Sequence, residues 1–218
     1  MSTKILENLK RAIMEYDREG AASLSRKAVD EKIDPIEALD ALTVALRQVG
    51  DGFGRGELWL PDLVGAAQAM VSAVPILEEE IKRKGMKRES LGTVVIGTVY
   101  GDIHSIGKIM VATLLIAEGF TVHDLGINVS AQTFVEAAKN YKPNILAMSS
   151  LLTTTAPEQR KVISGLKEEG IRDKVRIMIG GGAISQEFAD EIGADGYEPT
   201  APGAAKLART LVAEQNRK

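Results

Sequence analysis

The chain has 218 residues, 44% hydrophobic and 26% charged, with a formal net charge of -3. That length suits one large domain or two small ones with a substantial core, and the slight charge gives no general drive toward nucleic acid. Cysteine is absent, which excludes disulfides, thiolate metal sites and cysteine nucleophiles and is compatible with a reducing cytoplasm.

From the amino terminus, Met1 to Tyr16 form a polar, amphipathic stretch without an apolar signal core. No run approaches the length of a membrane span, so a cytoplasmic protein without a membrane partner is expected. Ile5, Leu6, Leu9, Ala12 and Ile13 recur at helical spacing, and a second helix is expected over 20–30. Asp34 and Pro35 form an N-cap and first-turn pair ahead of a helix over 36–49. Gly50, Gly52, Gly54 and Gly56 then predict a break, after which Pro61 opens a last helix reaching about residue 82. Its interior is rich in small residues (Gly65, Ala66, Ala67, Ala69, Ala73) that let neighbouring helices approach. Residues 1–83 therefore read as a four-helix, antiparallel bundle. A charged linker without an apolar face follows over 84–92.

Over 93–218 the periodicity changes. Strands are expected at 93–99, 121–124, 145–149, 176–179 and 196–197. Helices are expected near 108–118, 131–140, 156–169, 185–192 and 201–215. Five strand–helix repeats imply a parallel sheet covered on both faces, a doubly wound Rossmann-like or flavodoxin-like α/β fold. Such folds bind ligands beyond the carboxyl ends of their strands.

Five loops lie at those ends. The first carries Asp102, His104 and Gly107, and His104 is one of only two histidines. A carboxylate two residues before an imidazole suits a metal ligand, because it orients the ring and raises its basicity. The second carries Gly126, with Ser130 as a helix cap. The third is dense in hydroxyls, from Ser149 and Ser150 to Thr153, Thr154 and Thr155, which can also simply cap the next helix. The fourth is Gly180, Gly181 and Gly182, a phosphate loop or a tight turn; the fifth follows Gly196 and Tyr197.

In this order, Asp102-Ile103-His104-Ser105-Ile106-Gly107, Ser149-Ser150-Leu151 and Gly180-Gly181 resemble the motifs of cobalamin-binding domains. These are shared by cobalamin-dependent methionine synthase, methyltransferase corrinoid proteins and several mutases. The resemblance implies that His104 is the metal ligand, binding cobalt from below in place of the cofactor's own benzimidazole. It implies that Asp102 holds the other ring nitrogen and that Thr155 extends the relay. Gly107, Gly126, Ser149, Leu151, Thr153, Gly180, Gly181 and Gly182 would surround the cofactor and its nucleotide tail, with Gly196 and Tyr197 closing the far side. Ser105 departs from the acidic residue common after the ligand histidine, and Gly182-Ala183 from a frequent Ala-Pro.

Residues 49–70 resemble the helical cap of the methionine-synthase, methylamine and methanol branch, with Trp59 in place of phenylalanine and Asp62 in place of glutamine. Phe53, Leu60 and Leu63 align with positions that shield the cobalt–methyl bond. The resemblance spans nearly the whole chain and implies a corrinoid methyl carrier rather than a stand-alone enzyme. Its cofactor would be methylcobalamin or a related corrinoid. Its partners would be a substrate:corrinoid methyltransferase, a second methyltransferase loading tetrahydrofolate or a thiol, and a reductive reactivation protein. The alternative is a B12-dependent sensor or regulatory module.

Overall fold

Residues 2–86 and 90–215 are described by a computed structural model of the protein. Four helices come first: α1 (Ser2–Met14), α2 (Arg18–Asp30), α3 (Pro35–Gly54) and α4 (Leu60–Arg83). The chain divides into one unit of Met1–Glu89, which holds these helices, and a second of Ser90–Lys218. Of the linker expected over 84–92, residues 87–89 lie outside the described residues.

Local chemistry sets the helix ends. The Asp17 carboxylate accepts the Gly20 N–H, and Asp34 accepts the Ile36 N–H just ahead of Pro35, each at 2.8 Å. Of the glycines expected to break the chain, Gly50, Gly52 and Gly54 instead lie within α3, with Gly50 and Gly52 buried, and only Gly56, at a φ of 74°, lies in the turn beyond it. A Cβ on Gly52 would stand 2.9 Å from Leu58, so this glycine lets the following turn fold back onto the helix. The Glu57 N–H donates to the Gly52 carbonyl at 2.9 Å, closing that turn. At the start of α4 the Asp62 carboxylate accepts the Trp59 N–H at 2.7 Å, which gives the unusual Asp62 a capping role.

Helix α4 is long and apolar enough to cross a membrane by length and composition, with a mean hydropathy of 1.5 over an 18-residue window. This corrects the expectation that no run reaches that length. The physical reason is its place in the bundle: Leu63, Ala66, Ala67, Met70, Ala73 and Leu77 are buried, and α4 packs against α1, α2 and α3. A Cβ on Gly65 would stand 2.9 Å from Tyr16, so the small side chain is needed there.

The second unit alternates β1 (Thr93–Thr98), α5 (Ile106–Glu118), β2 (Thr121–Asp124), α6 (Ala131–Tyr141) and β3 (Ile145–Ser149). It continues with α7 (Pro157–Glu168), β4 (Arg176–Gly180), α8 (Gln186–Ile192), β5 (Gly196–Tyr197) and α9 (Ala201–Gln215). The five strands pair in the order β2-β1-β3-β4-β5, all parallel, the flavodoxin-like version of a doubly wound sheet. Alternate side chains feed opposite faces. Val94, Ile96, Ile145, Ala147 and Met178 pack with residues of α5 and α9. Leu146, Met148, Ile177 and Ile179 pack with residues of α6, α7 and α8. Phe134, fully buried, occupies the space left by Gly97, whose Cβ would stand 2.7 Å from the ring. Burying such a side chain stabilises the fold by about 2–3 kcal/mol.

Candidate functional site

The strand order turns around at β1: β2 lies on one side of it and β3 on the other. Open parallel sheets bind ligands in the crevice at this reversal. The two loops that meet there follow β1 and β3, and they bring together Asp102, His104, Ser150, Leu151 and Thr155.

Asp102 organises the meeting. It is fully buried, and one carboxylate oxygen accepts the His104 N–H at 2.9 Å and lies 2.8 Å from His104 Nδ1. The other accepts the Leu151 N–H at 2.7 Å and the Thr155 hydroxyl at 2.9 Å. Burial alone would push this carboxyl up. The N–H groups of His104 and Leu151, the imidazole and the Thr155 hydroxyl outweigh it and hold Asp102 well below the usual carboxylate range. An ionised carboxylate only accepts hydrogen bonds, so His104 Nδ1 is the donor to Asp102 and Nε2 is the ring nitrogen left to face a ligand. The His104 side chain is 46% exposed. The result is a ligand-ready imidazole whose tautomer and direction are set from behind.

Sequence reasoning singled out Asp102, His104 and Thr155, and in the structure Asp102 contacts both of the others. It named Ser150 within the hydroxyl-rich loop but did not foresee its contact: Ser150 is fully buried with its Oγ 2.8 Å from Thr155 Oγ1. Nor did it foresee the Leu151 N–H as a donor to Asp102. Lys108 was also missed: it is buried and pairs with Asp124 at the end of β2. Periodicity gives no sign of such long-range polar pairing.

Around the imidazole, large apolar side chains face outward. Tyr100, Ile103, Ile106, Ile127, Leu151 and Leu152 are all exposed, Ile103 at 69%. Several exposed apolar side chains on the strand-end loops suit a sizeable, partly apolar ligand. Only Leu151 of these was singled out from sequence, because apolar residues in loops make no periodic pattern.

The glycines divide into two kinds. A Cβ on Gly181 would stand 1.9 Å from the Ser150 carbonyl oxygen, and one on Gly182 would stand 2.8 Å from Leu151. These two are required by the packing of the β4 loop against the β3 loop. Gly180 is less crowded, with the Glu198 carbonyl oxygen 3.4 Å from its Cβ position. Gly126 needs its positive φ of 88°. Gly107 is different: it is exposed in the first turn of α5, and a Cβ there meets nothing within 4 Å. Among the described residues nothing calls for glycine at that position, which leaves open space three residues after His104 where a ligand could lie.

Ser149 ends β3, and Thr153 is exposed on the loop after it. Gly196 and Tyr197 form β5, on the far side of β4 from β3. Gly196 admits Leu207 of α9, 2.8 Å from its Cβ position, and Tyr197 packs against the core. In the helical unit, Leu63 is fully buried, Phe53 is half-buried, and Leu60 is 40% exposed.

The donor set constrains the metal. Among the described residues no three His, Asp or Glu side chains gather into a cage. A metal reaching His104 must therefore bring most of its ligands with it, as a metal held in a macrocycle does. One oriented imidazole, an apolar surround and an open glycine fit such a cofactor.

Comparison with known proteins agrees. The family model of the B12 binding domain matches residues 92–206, and a second B12 binding domain model matches residues 5–78. Trimethylamine corrinoid protein 1 of Methanosarcina acetivorans is 43% identical over 96% of this chain and 97% of the relative. A corrinoid protein of Desulfitobacterium hafniense is 42% identical over 97% of this chain and 99% of its own. Among solved structures, a chain of the methanol:cobalamin methyltransferase complex from Methanosarcina barkeri superposes with a TM-score of 0.83 at 32% identity. That match covers 96% of this chain and 80% of the other.

Proposed function

The chain belongs to the B12-binding family of corrinoid proteins, with cobalamin as its cofactor, and from that premise we propose that it is the methyl carrier of a methylamine- or methanol-type methyltransferase system. Bound cobalamin supplies a cobalt that accepts a methyl group and gives it up again. One observation supports the assignment of the protein's own role: His104 holds Nδ1 against a buried, ionised Asp102 and leaves Nε2 open.

Each residue then has a task. His104 would hold the metal through Nε2, with Asp102 fixing the ring and strengthening it as a ligand. Thr155 and Ser150 keep that carboxylate in place. Ile103, Ile106 and Leu152 supply apolar contact, while Gly107 leaves room for the ring system. The nucleotide tail is proposed to run along Ser149, Leu151, Thr153 and Gly180. Phe53, Leu60 and Leu63 of the helical unit are proposed to shield the transferred methyl from water.

The relatives carry names of trimethylamine and dimethylamine corrinoid proteins, which makes a methylated amine the first donor to test. A partner methyltransferase loads the carrier and a second unloads it to tetrahydrofolate or a thiol. A reductive protein restores oxidised cofactor, and all act in the cytoplasm. The test is transfer: the cobalamin-loaded protein is reduced and mixed with purified amine or methanol methyltransferases and their substrates. Methylation of the bound cofactor by one donor–enzyme pair, and its slowing in His104→Ala, is expected. If enzymes that methylate free cobalamin leave the bound cofactor untouched, the carrier role is refuted.

A further inference from the structure

The loop bearing Asp102 and His104 is held from two sides, and only one of them belongs to the recognised motifs. On the β3 side, Leu151 and Thr155 grip the Asp102 side chain. On the β2 side the grip is on the backbone, and Asn128 provides it. Its side-chain oxygen accepts the Gly101 N–H at 2.8 Å, and its own N–H donates to the Asp102 carbonyl at 3.0 Å. Asn128 adopts φ 55°, a left-handed conformation that asparagine tolerates far better than branched residues.

Asn128 is itself anchored. The next residue, Val129, donates its N–H to the Thr98 carbonyl at 2.9 Å, and the Thr98 N–H donates to Gly126 at 3.0 Å. Asp124 accepts the Gly126 N–H at 2.8 Å and also pairs with the buried Lys108. The Thr98 hydroxyl donates to the His104 carbonyl at 3.0 Å. A continuous set of hydrogen bonds thus runs from a buried ammonium in α5, through the β2 loop, to the backbone on both sides of Asp102.

We propose that Asn128 is a positioning residue for the cofactor: by clamping the backbone of Gly101 and Asp102 it fixes where the His104 imidazole points. This rests on the reading of His104 as the axial ligand. The clamp matters because the imidazole is half exposed and is aimed only through its neighbours. With the Gly101 clamp lost, the loop samples orientations in which Nε2 misses the metal.

Two variants separate the role of the side chain from that of the backbone. Asn128→Gly keeps the left-handed conformation and loses the acceptor; Asn128→Asp keeps both. In the cobalamin-loaded protein, the ratio of histidine-bound to histidine-free cofactor is read from the visible spectrum. It should fall about fivefold in Asn128→Gly, the shift expected from loss of one ordinary hydrogen bond, and recover in Asn128→Asp. In the cofactor-free protein, the Gly101 amide should lose its protection from hydrogen exchange in Asn128→Gly alone. A wild-type ratio in Asn128→Gly, or an equal fall in both variants, overturns the inference while leaving His104 as the ligand. If the wild-type spectrum itself matches that of His104→Ala, the ligand assignment fails and this inference fails with it.

Discussion

Replacing Asp102 with asparagine keeps the shape of the side chain and removes its charge. Asp102 accepts hydrogen bonds at both oxygens, two from His104 and two from Leu151 and Thr155. An asparagine can serve only one of these pairs with its oxygen. If it faces His104, its NH2 group confronts the Leu151 N–H, and only the Thr155 hydroxyl can turn to accept. One donor is then left unsatisfied, and the remaining bonds lose their charge assistance, for a cost of about 2–4 kcal/mol. Urea unfolding of the cofactor-free protein, followed by circular dichroism, measures this. The pH dependence follows from linkage. A carboxyl depressed in the folded state stabilises fully above its unfolded pKa, and that stability is lost as the pH falls through the folded value. The gap between wild type and Asp102→Asn should therefore be full at neutral pH and shrink below about pH 4. A gap under about 1 kcal/mol at neutral pH, or one that stays constant to about pH 3, would refute the electrostatic reasoning.

Gly107→Ala should leave the cofactor-free protein as stable as wild type or up to about 1 kcal/mol more so, because alanine favours the helix. It should nevertheless weaken cobalamin binding in equilibrium dialysis; unchanged affinity would contradict a ligand beside Gly107. Gly181→Ala should act in the opposite way, costing about 3 kcal/mol or more through collision with Ser150 and a strained φ of 121°. A wild-type Tm there would contradict the packing of the two loops. Phe53→Ala should speed photolysis of the bound methylated cofactor, and an unaffected rate would reduce Phe53 to bundle packing.

Much of the fold is legible in the chain because burial imposes a period. The change from helical spacing around Ile5 and Leu9 to short β-branched runs such as Val94, Val95 and Ile96 marks the change from bundle to sheet. Glycine misleads where packing outweighs propensity. Gly50 and Gly52 read as a break, yet both lie inside α3, where Leu58 folds back over Gly52. Gly107 likewise sits inside α5, which begins at Ile106 rather than at Lys108. The site is legible only where a short motif concentrates it. Asp102 and His104 are two residues apart and stand out; Leu151 is marked by its own motif, but the contact of its N–H with the Asp102 carboxylate across the β1–β3 junction is not legible. Asn128 is harder still to see, since its contribution is one side-chain oxygen on a neighbouring loop.

The most direct measurement is the identity of the axial nitrogen. Protein labelled with 15N-histidine and loaded with unlabelled cobalamin is reduced to the paramagnetic cobalt(II) state, and its electron paramagnetic resonance spectrum is recorded. Coordination by His104 converts the triplet splitting of an ordinary nitrogen into a doublet, and His104→Ala abolishes that doublet. A triplet that persists in the labelled protein would mean that the cofactor's own benzimidazole still holds the cobalt, and His104 would not be its ligand.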